Sequence, residues 1–337
     1  MPAALPANAI DWPTLERLRA AFLAGTAGQT DYWQSDADLA SYDATFAQRI
    51  GWKWDYVLAE LQRRGWASPG GPLVDWGCGS GIAHRAYLDW FGAHAVSEAR
   101  LWDRSARAVR FAAGRAAAKY PGLKVATGTG APGAEALTGA TVLLSHVLTE
   151  LTPDQLAALE ASLLGAAAIL WVEPGTYEVS LTLIALRERL RRQFHVVAPC
   201  LHGERCGILA PENERHWCHH FASPPPGVFT DPDWGKFSHL MNVDLRDLPV
   251  SFLVLDRRPA PPTPPGAVRV IGRPRLYKPH ALLLGCDAAG VGEKHLTRRA
   301  HPEIWRNIKR GDWDALQIWE CDGEEIVRAS PLPSPSA

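Results

Sequence analysis

The segment "CLHGERCGILAPENERHWCHH" carries Cys200, Cys206 and Cys218 in C-x5-C-x11-C spacing, with His202, His216, His219 and His220 close by. Thiolates are soft ligands suited to zinc or to iron–sulfur clusters, and three on one stretch bring most of a coordination sphere together locally. A fourth donor is required. A neighbouring histidine would suit zinc, whereas Cys286, closing "HALLLGC", would complete an all-cysteine set. Cys78, in a glycine turn, and Cys321, in "ECDGEE", are poorer donors. Without a ligand the same cysteines would be inert thiols packed under a loop.

A second constellation lies in "LVDWGCGSG", where an apolar run ends in Asp75 and passes through Gly77, Gly79 and Gly81 towards a helix. Glycines tolerate positive φ and have no Cβ, so the backbone can turn sharply and approach a ligand closely. The next strand ends in Asp103, placed to accept hydrogen bonds from both ribose hydroxyls of a nucleoside. G-x-G-x-G with this acid resembles the S-adenosylmethionine site of Rossmann-fold methyltransferases rather than a dinucleotide site. The cofactor residues are thus Asp75, Gly77, Gly79, Gly81 and Asp103. The cysteine spacing differs from the C-x3-C-x2-C of radical S-adenosylmethionine enzymes, so metal and methyl donor have separate tasks.

Catalytic groups are less defined. After the fourth strand, where N-methyltransferases of bases carry an Asn or Asp followed by Pro-Pro and an aromatic, the chain reads "LLSHVLTEL" and offers His146 and Glu150. Glu173 follows the next strand in "WVEPGT". Each can act as a base or orienting group, and each can equally be a strand-end or turn residue. Methyl transfer from a sulfonium can proceed by positioning alone.

The elements that hold these residues follow from periodicity. Residues 1–69 form a helical region, with Phe46, Ile50, Trp54, Val57, Leu58 and Leu61 recurring at spacings of three and four. From 70 to 258, strands ("SEARLWD", "LKVATGT", "ATVLLSH", "AAAILWVE") alternate with helical stretches, the pattern of an open, mostly parallel sheet. "FHVVAPC" and "VSFLVLDR" read as the last strand pair, and the cysteine segment, at about 198–235, is an insertion between them. A proline-rich linker spans 259–266, a small basic β-rich domain 267–328, and a disordered tail 329–337. The fold class is α/β: a Rossmann-type methyltransferase fold with N-terminal helices, a cysteine-rich insertion and a small C-terminal β-rich domain.

With 337 residues, 47% of them hydrophobic, and a net charge of −1, the chain has no global field drawing it to nucleic acid or membrane. No leader pattern and no apolar run long enough to span a bilayer is evident, which predicts a cytoplasmic, non-membrane protein, with a monomer favoured. A local patch does exist. From Arg269 to Arg310 ten lysines and arginines face three acids, with Tyr277, Trp305 and Trp313 interleaved.

"APCLHGERC", "WCHHF", "IGRPRLYKPHALLLGC" and "IKRGDWD" together resemble the methyltransferase-like proteins of the small ribosomal subunit, found in mitochondria and as bacterial relatives; the likeness runs from about Ser41 to Asp314. It implies a 4Fe-4S cluster on Cys200, Cys206, Cys218 and Cys286, and binding to the small subunit or its rRNA during assembly and translation. It also implies an RNA-facing surface of Arg273, Arg275, Lys278, Arg298, Arg299, Lys309 and Arg310. The stretch between Cys206 and Cys218 is longer than in many relatives, and "HH" replaces a single histidine. Two other readings are an active S-adenosylmethionine-dependent rRNA methyltransferase, and a zinc-stabilised methyltransferase of a small molecule or protein.

Overall fold

The computed structural model describes residues 10–25 and 32–333. Three helices open it: α1 (Trp12–Leu23), α2 (Asp36–Ala44) and α3 (Phe46–Arg63). Asp11 and Ser35 cap the first two by accepting the Thr14 and Asp38 N–H groups at 3.1 Å each. Then come β1 (Pro72–Trp76), α4 (Ile82–Phe91), β2 (Glu98–Asp103), α5 (Ala106–Lys119), β3 (Val125–Thr129), α6 (Ala134–Leu137), β4 (Thr141–Ser145), α7 (Pro153–Leu163) and β5 (Ala168–Pro174). The chain continues through α8 (Tyr177–Leu190), β6 (His195–Ala198), β7 (His220–Ala222), α9 (Pro232–Met241) and β8 (Leu248–Asp256). It closes with β9 (Ala267–Leu276), β10 (His280–Asp287), β11 (Gly290–Thr297), α10 (Pro302–Arg310), β12 (Leu316–Asp322) and β13 (Glu325–Pro331).

These elements form two compact units. The first comprises Met1–Glu60, Ala67–Glu173 and Ala222–Leu248. Its sheet has the order β3-β2-β1-β4-β5 with all neighbours parallel. Centre strands β4 and β5 are buried along almost their whole length, as expected where both faces of a parallel sheet are covered. Helix α9 joins this unit through Trp234, Phe237 and Met241, which share a core with Leu15 and Trp52.

The second unit comprises Leu61–Trp66, Pro174–Phe221 and Pro249–Ala337. Within it β6 pairs antiparallel with β8, and β9 to β13 close a barrel in the order β10-β11-β13-β12-β9. Trp305 and Ile308 of α10 enter the barrel core beside Val270, Leu283, Leu296 and Ile326.

The compact units divide the chain differently from the expected domains. The proline-rich segment 259–266 connects β8 to β9 inside one unit, and the cysteine segment belongs with the barrel up to Phe221. The physical reason is a shared apolar cluster: Cys206 and Ile208 pack with Ile271 and Cys286 of the barrel. The tail expected to be disordered from 329 instead continues β13 through Pro331. Leu332 is buried against Leu201, Ala267 and Leu316, and residues 334–337 lie outside the described residues.

Candidate cofactor loop and cysteine centre

In the first unit the glycine turn after β1 is held from three directions. Gly77 and Cys78 donate their N–H groups to the Trp102 carbonyl at 2.8 and 2.9 Å. Arg85 donates to the Ser80 carbonyl at 2.6 Å and ion-pairs with Asp43 of α2 at 2.5 Å. Asp75 places Oδ2 at 2.7 Å from His84 Nδ1, both side chains fully buried, and so ties β1 to α4. Its other oxygen, Oδ1, is buried without a hydrogen-bond partner. Gly77 and Gly81 carry φ values of 71° and 83°. A Cβ on Gly77 would stand 2.9 Å from Val147 Cγ1, whereas one on Gly79 would meet nothing within 4 Å. Gly79 thus marks an open cradle that only a glycine keeps free.

Asp103 borders that cradle. Its Oδ2 accepts the Gly79 N–H at 2.9 Å and its Oδ1 the Ser105 N–H at 2.8 Å. Burial raises its carboxyl above the ordinary range, against those two hydrogen bonds. A carboxylate fixed at the end of β2 with lone pairs remaining is suited to accept hydroxyl protons of a ribose. The residues present fit an S-adenosyl nucleoside.

At the carboxyl ends of β4 and β5 a second group of side chains gathers. His146 adopts φ 56°, a left-handed conformation that is uncommon outside glycine. Its Nε2 is buried without a hydrogen-bond partner, and burial, with the Lys53 and Arg49 cations, holds the ring neutral. Glu173 is fully buried. Its Oε1 accepts from Val147 N–H, Leu148 N–H and Trp171 Nε1–H at 2.9, 3.1 and 2.8 Å. Burial nonetheless pushes the carboxyl up to about 7. Lys53, on α3, is pulled down to about 7 by burial and by Arg49, with Glu173 opposing. Glu150 stands apart, 3.7 Å from Arg104 at the surface.

In the second unit the sequence-separated cysteines converge. Cys200, Cys206 and Cys286 are buried and Cys218 half-buried, and all four are free thiols. Cys206, Cys218 and Cys286 lie in one apolar cluster. Burial first, then Cys200, Cys206 and Cys286, pushes the Cys218 thiol well up; Cys286 is raised by burial and by Cys200 and Cys206. Cys206 is pushed up to about 11 by burial and Cys200. These groups therefore lie within each other's electrostatic reach. His202 Nε2 stands 3.8 Å from Cys286 Sγ and His220 Nε2 3.7 Å from Cys218 Sγ. Arg187 of α8 donates Nε–H to Cys200 Sγ at 3.2 Å. Among the described residues, no set of three or more His, Cys, Asp or Glu side chains is arranged round a single metal ion. Around these thiols stand Arg187, His202 and His220, groups of the kind that orient and stabilise thiolate donors where a metal is bound.

Of the basic residues, Arg273, Arg275, Lys278, Arg298, Arg299, Lys309 and Arg310 are all exposed. Arg273 lies 3.8 Å over the Phe221 ring and Arg275 pairs with Glu293. Arg269 is the exception in this segment: it is 1% exposed and donates to the Pro199 carbonyl. Trp305 belongs to the barrel core rather than to a stacking surface, with Arg298 at 4.6 Å and Lys309 at 5.8 Å from its ring.

Lys53 and Arg187 were not among the sequence candidates. Lys53 falls on the apolar stripe of α3, three residues after Ile50 and four before Val57, which is the signal that marks it. Arg187 has none, because "LRERLRRQ" reads as a solvated helix end.

A parallel sheet of order β3-β2-β1-β4-β5, a glycine turn after β1 and an acid at the end of β2 define a Rossmann-type fold of the methyltransferase class. The family profile described as mitochondrial small ribosomal subunit Rsm22 matches residues 56–317, and the chain belongs to that family. No curated protein sequence matches the chain directly. Similar solved structures include the methyltransferase domain of bacterial CtHen1, 13% identical over 62% of this chain and 99% of that one, with a TM-score of 0.38. Magnesium protoporphyrin IX methyltransferase from Synechocystis PCC 6803 with bound S-adenosylmethionine is 16% identical over 74% of this chain and 99% of that one, with a TM-score of 0.38. TrmK from M. capricolum with S-adenosyl-homocysteine is 10% identical over 61% and 69%, with a TM-score of 0.34. Among the described residues no helix is long and apolar enough to cross a membrane.

Proposed function

We propose that this protein is a 4Fe-4S-carrying, S-adenosylmethionine-binding factor of methyltransferase fold that associates with the small ribosomal subunit and its rRNA and supports its assembly and translation. The observation that carries the reading is the convergence of Cys200, Cys206, Cys218 and Cys286, separated by up to 86 positions, in a chain of this family. Cys286 comes from barrel strand β10 and the other three from the segment after β6, so a bound cluster would convert binding free energy into cohesion of that unit. Asp75, Gly77, Gly79, Gly81 and Asp103 would hold the cofactor, which when bound supplies an electrophilic methyl group. The exposed cations of the barrel segment would neutralise rRNA phosphates. The cytoplasmic, monomeric state expected from the sequence is part of this proposal; the family description is mitochondrial.

The test is the iron, sulfide and zinc content of anaerobically purified protein, together with its cosedimentation with small ribosomal subunits. About four irons and four sulfides per chain, lost in Cys200→Ser, are expected. One zinc and no colour would replace the cluster with a zinc-stabilised methyltransferase, and absence from the subunit fraction would overturn the ribosomal role.

His146, Glu173 and Lys53 favour a second reading, an active rRNA methyltransferase. Comparing small-subunit rRNA modifications in a deletion strain complemented with wild type or Asp103→Ala separates the two. A methyl group lost in the deletion and missing only with the variant requires the enzyme.

A further inference from the structure

The barrel strands run β9-β10-β11, then α10, then β12-β13, and close in the spatial order β9-β10-β11-β13-β12-β9. The single parallel pairing is between β11 and β13, His295 opposite Glu325; β9 pairs antiparallel with both β10 and β12. Gly272, at φ 66°, lies within the ten-residue β9, which serves both neighbours. A helix between the third and fourth strands feeds Trp305 and Ile308 into the barrel interior. This is the five-stranded Greek-key arrangement of the OB-fold, whose second and third strands, with the loops between strands 1 and 2 and between strands 4 and 5, form a face for oligonucleotides and oligosaccharides; here the second of those loops, the β12–β13 turn, is acidic, so the β9–β10 side is the one suited to phosphate.

On that face three rings follow one another. Tyr277, in the β9–β10 loop and 45% exposed, stacks on His280 at 5.0 Å and 22°. His280 meets His295 of β11 edge-on at 6.2 Å. The Arg298 N–H bonds to the Pro279 carbonyl at 2.8 Å, which brings Arg298 and Arg299 beside the same loop, where Lys278 is exposed. The far end of the face is covered: Gly207 approaches Gly290 and Val291 so closely that a Cβ would stand 2.6 Å from the Val291 nitrogen. The β12–β13 turn carries Asp322, Glu324 and Glu325, a repulsive neighbour for phosphate.

We infer that the C-terminal barrel is an OB-type module that binds unpaired RNA, stacking bases on Tyr277, His280 and His295 and clamping the backbone with Lys278, Arg298 and Arg299. The inference rests on the rRNA reading above and sharpens it: the ligand is a single strand of roughly four nucleotides, the low end for such folds, not a duplex. Aromatic faces accept any base, so the site discriminates strandedness more than sequence.

Fluorescence anisotropy of the full-length protein with a labelled single-stranded RNA 12-mer of mixed sequence tests this, with the same RNA annealed to its complement as competitor. Expected are roughly tenfold weaker binding for Tyr277→Ala, near wild-type binding for Tyr277→Phe, and a shallower salt dependence for Arg298→Ala/Arg299→Ala. Unchanged binding by Tyr277→Ala and by the double variant, or a duplex that competes as well as the single strand, would overturn the inference. Cosedimentation of wild type with small subunits, measured alongside, keeps the two readings apart. A protein that cosediments but binds no single strand overturns the module and leaves the ribosomal role, and one that does neither overturns both.

Discussion

Arg187 Nε lies 3.2 Å from the sulfur of Cys200, and Arg187 is 2% exposed. Burial opposes the charge, but Cys200, Cys206 and Glu188 overcome it and hold Arg187 protonated more firmly than in water. Arg187 also donates to the His202 carbonyl at 3.1 Å, and so fixes the segment between the first two cysteines. Arg187 is thereby a positioning residue for the Cys200 sulfur. Arg187→Leu is expected to bind less iron per chain after anaerobic reconstitution and to bleach faster in air. Arg192→Leu, which removes an exposed arginine just past the end of α8, is the control. Equal iron retention in both variants would remove Arg187 from the centre.

In the proposed centre Cys286, on β10, would supply the barrel's ligand. In wild-type protein reconstitution with iron and sulfide is expected to raise Tm, because a ligand that binds only the folded state stabilises it. In Cys286→Ser this increment should vanish while the iron-free Tm changes little. An increment that survives the substitution would show that the thiol is not a ligand.

Asp103 both positions the loop and offers acceptors to a nucleoside. Hydrogen bonds to charged groups contribute about 1.5–3 kcal/mol, so Asp103→Ala should weaken S-adenosylmethionine binding by at least about tenfold in titration calorimetry. Asp103→Asn, which keeps one acceptor, should lose less.

The glycines of the turn separate by what a methyl group would strike. Gly77→Ala meets Val147 at 2.9 Å in a left-handed backbone and should destabilise the fold by more than about 2 kcal/mol. Gly79→Ala points into open space and should cost less stability but impair cofactor binding. Chemical denaturation and calorimetry on the two variants check the division.

Glu173 predicts a pH signature. Its folded-state carboxyl sits at about 7, above the ordinary 4.5. Between those values the unfolded chain is ionised while the folded one keeps the proton, so Glu173 subtracts stability as pH rises from 4.5 through 7. Glu173→Gln keeps an oxygen for the Val147, Leu148 and Trp171 donors and abolishes that loss. The variant should equal wild type near pH 4.5 and exceed it by up to about 3 kcal/mol above pH 7. The same advantage at both pH values would contradict the assignment.

The sequence by itself determined the elements and two of the three chemical constellations. Apolar runs located β1, β4 and β5, because a parallel strand buried on both faces must be apolar almost throughout, and alternation with helical spacings located the half-exposed β2 and β3. The glycine turn and Asp103 were legible because φ above zero and close approach restrict those positions to glycine. The cysteines were legible as ligand types, since spacing on one segment survives folding. Tertiary structure alone decided the rest. Cys286 was named from the sequence as the fourth cysteine, but that it packs with Cys206 and Cys218 depends on where β10 lies, which local spacing does not encode across 68 positions. Lys53 and Glu173, 120 positions apart, tune each other only once α3 and β5 meet. The barrel's closure places β13 between β11 and β12, a pairing that strand periodicity does not specify. Trp305 and Arg269 went to the interior while Arg273, Arg298 and Lys309 of the same basic segment stayed exposed, because burial is a property of the closed barrel and not of residue type.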